Sequence, residues 1–403
     1  MATILPIGVQ AKYFAKVEAT YDTVQELVAA DAVPLIDLEI TPTKEFHASK
    51  ERVGSASLQR EVAGVSGGTW SASFYAKPNG STVTTAPDVG VFLKAAFGDE
   101  NTSSDVSYRF TTGSAEVFTP TSLQLARYVG EALYETISGC WIESCDVEIV
   151  GNAETVINVS GGFASFGYCY GAQINGAISS TSATTVTLDS GTAERLGVGA
   201  RIQFKEPGGT VINGAASTGF RVTYVNTSAD IITFTPAVGA TVADDSVVQP
   251  FTLAQTLTTN NPLGGVGCGM SIGGTAVGMI SFKVSIATGI HGLSAEATAS
   301  KPNRLAQGAR SVTGTIESYF LTSDTATEDI SRLIGTAHEG GTLALIARAG
   351  EDTTKQRMKI NVPAARLEVT PVAVPEAEEA TVSINFVARQ ASAVGDECSI
   401  DFD

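Results

Sequence analysis

The chain has 403 residues, enough for more than one domain with a core of its own. A formal net charge of -17 disfavours a protein that grips nucleic acid by neutralising phosphates. Charged residues at 17 %, aromatics at 7 % and short alternating runs between Gly and Asn point to a β-rich protein.

Met1 to Phe14 lacks the charged start and apolar stretch of a signal peptide, and no run of about eighteen apolar residues occurs, so neither that export route nor a membrane span is expected. Residues 35–40 alternate, with Ile36, Leu38 and Ile40 on one side and Asp37 and Glu39 on the other. A long polar segment follows from Thr43 to Val53, then the glycine cluster 64–68, read as a turn. Residues 69–75 return to alternation, turning Trp70, Ala72 and Phe74 one way. Val89, Phe92, Leu93 and Ala96 make one helical stripe over residues 87–98, with Pro87 suited to the first position and Gly98 to the stop. In residues 142–150, Asp146 and Glu148 oppose Cys145, Val147 and Ile149, and residues 155–159 alternate again.

From Gly171 to about Phe251 the texture changes. Short strands at 185–188, 201–204, 220–225 and 231–235, separated by turn signals such as Pro207-Gly208-Gly209 and Asn213-Gly214, read as a small inserted β-domain. The glycine-rich stretch 252–279 reads as a flexible return segment. The opening pattern then recurs. Residues 280–286 parallel 35–40, residues 311–317 parallel 69–75 at an offset of 242, and Ile330, Leu333, Ile334 and Ala337 parallel the first helix at an offset of 241, after a capping box from Thr325 to Glu328. Residues 366–369, where Glu368 opposes Leu367 and Val369, parallel 145–149, and residues 381–386 parallel 155–159. The expected fold is mainly β: two tandem sandwich repeats (1–171 and 252–403, the latter with a linker), each with one short flanking helix, around the inserted domain 172–251.

No constellation of catalytic residues emerges. Cys140, Cys145, Cys169, Cys268 and Cys398 are odd in number, with no CxxC pair and no histidine at ligand spacing, so neither a zinc site nor a disulfide framework is expected. His47, His291 and His338 sit apart from any carboxylate or cysteine pattern. The glycine clusters 64–68 and 264–269 lack the Lys-Ser/Thr of a phosphate loop, and Asp244-Asp245 reads as a solvated turn. No enzyme, cofactor or metal is expected. The informative chemistry is the row of strand carboxylates, which decorates either a solvated sheet face or a negatively charged wall.

The polar segment 43–53, the glycine cluster, the strand 68–75 and one short helix, with the pattern returning after Ile280, resemble the major tail tube proteins of long-tailed bacteriophages (siphophages). The resemblance covers residues 1–170 and 280–403 and is one of pattern. It implies β-sandwich repeats whose inner sheets join with those of neighbouring subunits into a continuous barrel, and a duplicated chain whose trimers make pseudo-sixfold rings. It further implies a lumen lined by Asp37, Glu39, Asp146, Glu148 and Glu368, and a ring-stacking segment that includes Lys44, Glu45, Lys50, Glu51 and Arg52. The implied partners are further copies of the chain and the tape measure, terminator and distal tail proteins. DNA would cross the lumen without specific binding, in a virion tail assembled in the host cytoplasm without membrane insertion. The competing expectations are a cell-surface or adhesin-like β protein and a hub component of a contractile injection device.

Overall fold

The structure is a computed structural model that describes residues 11–48, 61–79, 84–103, 105–110, 120–214, 219–264, 267–294, 299–319, 342–350, 357–369, 380–391 and 396–402. In chain order it begins with β1 (Ala11–Val17), β2 (Ala32–Val33), β3 (Asp37–Ala48), β4 (Glu61–Tyr75) and the helix α1 (Gly90–Phe97). Next come β5 (Gly98–Asn101), β6 (Val106–Phe110), β7 (Leu123–Val129), β8 (Leu133–Cys140), β9 (Ser144–Val150), β10 (Val156–Phe163) and β11 (Ser165–Cys169). A middle stretch holds β12 (Ala172–Gln173), β13 (Thr185–Thr187), β14 (Arg201–Lys205), β15 (Val211–Ile212), β16 (Phe220–Asn226), β17 (Ile231–Thr235) and β18 (Val247–Pro250). The remainder holds β19 (Gly269–Ile272), β20 (Thr275–Val277), β21 (Met279–Ala287), β22 (Ile290–Leu293) and β23 (Arg304–Gln307). It ends with β24 (Ser311–Tyr319), β25 (Thr342–Ala349), β26 (Met358–Val369), β27 (Thr381–Ala388) and β28 (Ser399–Phe402).

The protein is mainly β, and α1 is the one α-helix among the described residues. A five-stranded sheet runs β11-β8-β7-β1-β2. A 14-stranded sheet follows the path β20-β19-β25-β26-β27-β24-β21-β9-β10-β4-β3, with β28 also on β26 and carrying β6 and β5. The middle stretch forms a seven-stranded sheet of its own, and β22 and β23 form a separate hairpin. Among the described residues no sheet closes into a barrel.

Alternation explains why the long sheet has one dry face. Leu38, Trp70, Phe74, Val147, Ile157, Val284, Ile316, Ile384 and Leu367 are buried in a single cluster, while the intervening polar residues point the other way. The helix α1 lies on the first half of this cluster, with Phe92 stacked at 5.2 Å on Phe74 and 6.2 Å from Trp70. It begins at Gly90 and not at Pro87. Pro87 opens a turn, in which its carbonyl accepts the Gly90 N–H at 2.7 Å, and a side chain at Gly90 would sit 2.1 Å from the Tyr108 hydroxyl. Gly98, at φ 87, ends the helix as a left-handed cap whose N–H donates to Lys94. The expected second helix, with its capping box, lies outside the described residues.

Two other expectations are corrected. The glycines 64–68 are strand, inside β4, because a Cβ at Gly68 would lie 2.4 Å from the Thr41 carbonyl and against the Phe163 ring; the glycines permit close approach there and do not mark a turn. The return segment is not loose. Thr256 N–H donates to Ala29 and Leu263 N–H to Ala76, both at 2.9 Å, and β19 and β20 bury Met270, Ile272 and Val277.

The five-stranded sheet is packed on both faces. Leu125 and Ile137 belong to the main core, whereas Phe14, Ala126, Tyr128, Tyr134 and Cys169 belong to a second cluster with Ile202, Phe204, Phe220 and Phe234 of the middle stretch. The middle stretch therefore has its own sheet but shares its core with the sheet beneath.

Candidate functional site

An extended polar surface is the wet face of eight consecutive strands of the long sheet, β26-β27-β24-β21-β9-β10-β4-β3. Register places Asp37, Ser73, Asn158, Asp146, Ser285, Thr313, Val387 and Arg366 in one row across it. A second row holds Tyr75, Val156, Glu148, Lys283, Thr315, Asn385 and Glu368. A third holds Glu39, Ser71, Ser160, Ser144, Ala287 and Ser311.

All five carboxylates singled out from alternation, Asp37, Glu39, Asp146, Glu148 and Glu368, thus share one face of one sheet. Asp37, Glu39, Glu148 and Glu368 are exposed and Asp146 is half-buried. Glu317, in a strand whose alternation was legible but whose acid was not singled out, joins them. The carboxylates outnumber the cations Lys283 and Arg366 in these rows, so the face carries net negative charge. Short side chains tie neighbouring strands together: Ser73 Oγ donates to Asn158 Oδ1 at 2.7 Å, Ser144 and Ser160 share a hydrogen bond of 2.8 Å, and Ser281 Oγ donates to Glu317 Oε2 at 3.1 Å. Ile36, expected to pack beside Leu38, is 46 % exposed, because it precedes the strand.

The β3–β4 pair extends past the end of β10, with a bulge between Lys44 and Phe46. Lys44 and Glu45 are exposed on it, and the Lys44 ammonium lies 5.5 Å from the centroid of the Phe46 ring, itself 57 % exposed. The base of the arm is braced by the segment before β23, where the Ser300 carbonyl accepts the Ser66 N–H at 2.7 Å and its hydroxyl at 2.9 Å. Lys50, Glu51 and Arg52 lie outside the described residues. His47 belongs to β3, and His291 is exposed with Nδ1 3.2 Å from the Gly289 carbonyl.

The junction between the halves of the long sheet was not foreseen from sequence. β9 pairs with β21 in an unbroken antiparallel register from Ser144↔Ala287 to Val150↔Ser281, with Asp146 opposite Ser285 and Glu148 opposite Lys283. At the end of the sheet, β3 has no strand on its outer side, and Leu367 to Val369 of β26 have none on the side away from β27, among the described residues. No protein-family model and no curated protein matches the chain.

Proposed function

We propose that this chain is the subunit of the hollow tail tube of a long-tailed bacteriophage, a structural protein whose trimers form rings that stack and conduct DNA. The reading is supported by one observation: β9 and β21 join two runs of four strands that we read as halves of like construction, and among the described residues β3 and Leu367–Val369 of β26 have no strand on their outer sides. The first half runs β9-β10-β4-β3 and the second β26-β27-β24-β21. Behind them, β11-β8-β7-β1-β2 has its counterpart in β28-β26-β25-β19-β20, with the long β26 serving as both β8 and β9. Registers agree in detail. Asn158 pairs with Asp146 as Asn385 pairs with Glu368, and Ser71 pairs with Glu39 as Thr313 pairs with Ser285.

In this reading β3 is the counterpart of β21 and the end of β26 the counterpart of β9, so β26 of one copy meets β3 of the next by repeating the internal junction. Such a head-to-tail contact closes into a ring when its rotation permits and leaves no exposed edge. Three eight-stranded ribbons at about 4.8 Å per strand give roughly 40 Å between opposing backbones, and about 30 Å clear of side chains, which admits a DNA duplex. The acidic, Ser- and Thr-rich face would line this bore and repel phosphates instead of binding them. The middle stretch would lie outside, and the β3–β4 arm would reach the next ring. Tape measure, terminator and distal tail proteins would then be the partners, and the virion tail the location. Electron microscopy of the purified protein, concentrated in stages, tests the reading: rings of three chains and hollow tubes are expected, and a monomer at every concentration would refute it.

A further inference from the structure

Outside the polar face, one cluster brings an amine distant in sequence against a carboxylate and a nearby buried acid. Asp22 follows β1 in a left-handed turn at φ 54, with its carboxylate 9 % exposed. Ser138 Oγ donates to Oδ1 at 2.8 Å and Ser165 Oγ to Oδ2 at 3.0 Å. The Lys301 ammonium, from the segment that braces the arm, contacts the same Oδ2 and donates to Ser165 Oγ at 2.7 Å. These side chains border a cavity of about 470 Å³. Behind Asp22 lies Glu18, 7 % exposed, whose two oxygens accept the Asp22 N–H at 3.0 Å and the Gly139 N–H at 2.9 Å. The Tyr21 hydroxyl beside them is buried without a hydrogen-bond partner.

We propose that Lys301 and Asp22 join in a self-formed isopeptide bond, with Glu18 as the proton carrier. The Glu18 carboxylate takes a proton from Lys301 Nζ, and the free amine attacks Asp22 Cγ while the Ser138 and Ser165 hydroxyls polarise its oxygens. The N–C bond forms and one C–O bond breaks. Glu18 returns its proton to the departing oxygen, which takes a second from the nitrogen and leaves as water. One ammonium and one carboxylate thus become one amide and one water, and no oxidant or further reactant is needed. Condensation is unfavourable between free groups in water, but a held pair reaches effective concentrations of about 10⁵ M or more. Burial pushes the Glu18 carboxyl up to about 7, against hydrogen bonds from Ser122, Gly139 and Asp22 and with the Asp22 charge adding to the rise. A group so placed exchanges protons near neutrality, as a carrier must. The bond would clip the brace of the arm to the first half of the chain, whatever the chain assembles into.

Intact-mass spectrometry of the full-length purified chain tests this. The expected mass is that of the sequence less one water, with one protease-resistant branched peptide joining Asp22 to Lys301. K301R and E18Q should return the full sequence mass. D22N, which keeps the site and changes the leaving group, should lose ammonia in place of water. Wild-type protein that is folded by circular dichroism and carries the full sequence mass overturns the proposal, as does a branch at other residues or an E18Q chain that condenses as completely as wild type.

Discussion

Carrying the internal junction over to the contact between copies predicts its weak point. Within the chain Ser285 faces Asp146, a neutral residue opposite an acid. In the proposed ring, the matched registers would set Glu39 of one copy against Glu368 of the next, two acids directly opposite one another. Like charges in that position destabilise a strand pair by about 0.2–1 kcal/mol, and Coulomb's law gives a similar figure of about 0.7 kcal/mol for charges roughly 6 Å apart in water. E368K or E39K turns repulsion into attraction. The swing of about 1 kcal/mol per contact, taken over three contacts, raises the ring-formation constant by roughly a hundredfold. The double variant E39K/E368K sets Lys opposite Lys and should fall back near wild type. Sedimentation velocity over a concentration series reads all four proteins, at about 0.1 M and about 1 M salt. The differences should shrink at high salt, where the screening length drops from about 10 Å to about 3 Å. If the single changes add in the double variant instead of cancelling, or if their effects ignore salt, Glu39 does not meet Glu368 and the transferred register is wrong.

Three further outcomes are expected. Because the Glu18 carboxyl is raised from 4.5 to about 7, the fold favours its protonated form; that contribution, up to about 3 kcal/mol, is full below about pH 4.5 and lost as pH rises through about 7, so urea midpoints should fall over that window in wild type and stay flat in E18Q. Gly314→Ala puts a Cβ 2.2 Å from the Lys283 carbonyl and 2.4 Å from the Phe386 ring, so it should lower unfolding stability by about 1–3 kcal/mol, and adding Phe386→Val should recover the part owed to the ring, since Ala72 and Val159 fill the corresponding places. Deleting residues 172–251 uncovers Phe14, Tyr128 and Tyr134, each at most 1 % exposed, so the shortened chain should bind a hydrophobic dye and aggregate; a soluble product that binds none would refute a shared core.

Alternation made the faces legible. It separated Asp146 from Val147 and Glu368 from Leu367 because a strand's side chains take opposite sides whatever it pairs with. Partners are a different matter, since they depend on contacts distant in sequence. Nothing local to Ser144–Val150 announces that Met279–Ala287 will lie beside it, and nothing near Asp22 announces Lys301. β26 is much longer than the run 366–369 read from sequence: its first residues pair with β25 and β28 and its last with β27, around Pro363.

The middle stretch exposes a further limit of local pattern. Its strands were legible between Thr185 and Thr235, and such a self-contained series of short runs reads as a body that stands alone. What couples it to the rest is on the far side. In β8 nearly every position is buried, Ile137 toward the main core and Tyr134 toward the middle stretch, so the strand has no wet face to alternate with. Thr136 and Glu135 occur there because their polar atoms are answered within the protein, Thr136 Oγ1 by the Leu125 carbonyl at 3.0 Å and Glu135 by Arg127. A polar residue in a strand therefore marks solvent only when nothing covers it. The same reasoning bears on Asp37, Glu39, Glu148 and Glu368, which are exposed among the described residues and would remain solvated in the proposed ring wherever water bathes their face, in a bore or on the outside. In either arrangement the four acids need no partner, and an assembly that buried this face against protein would have to supply one for each.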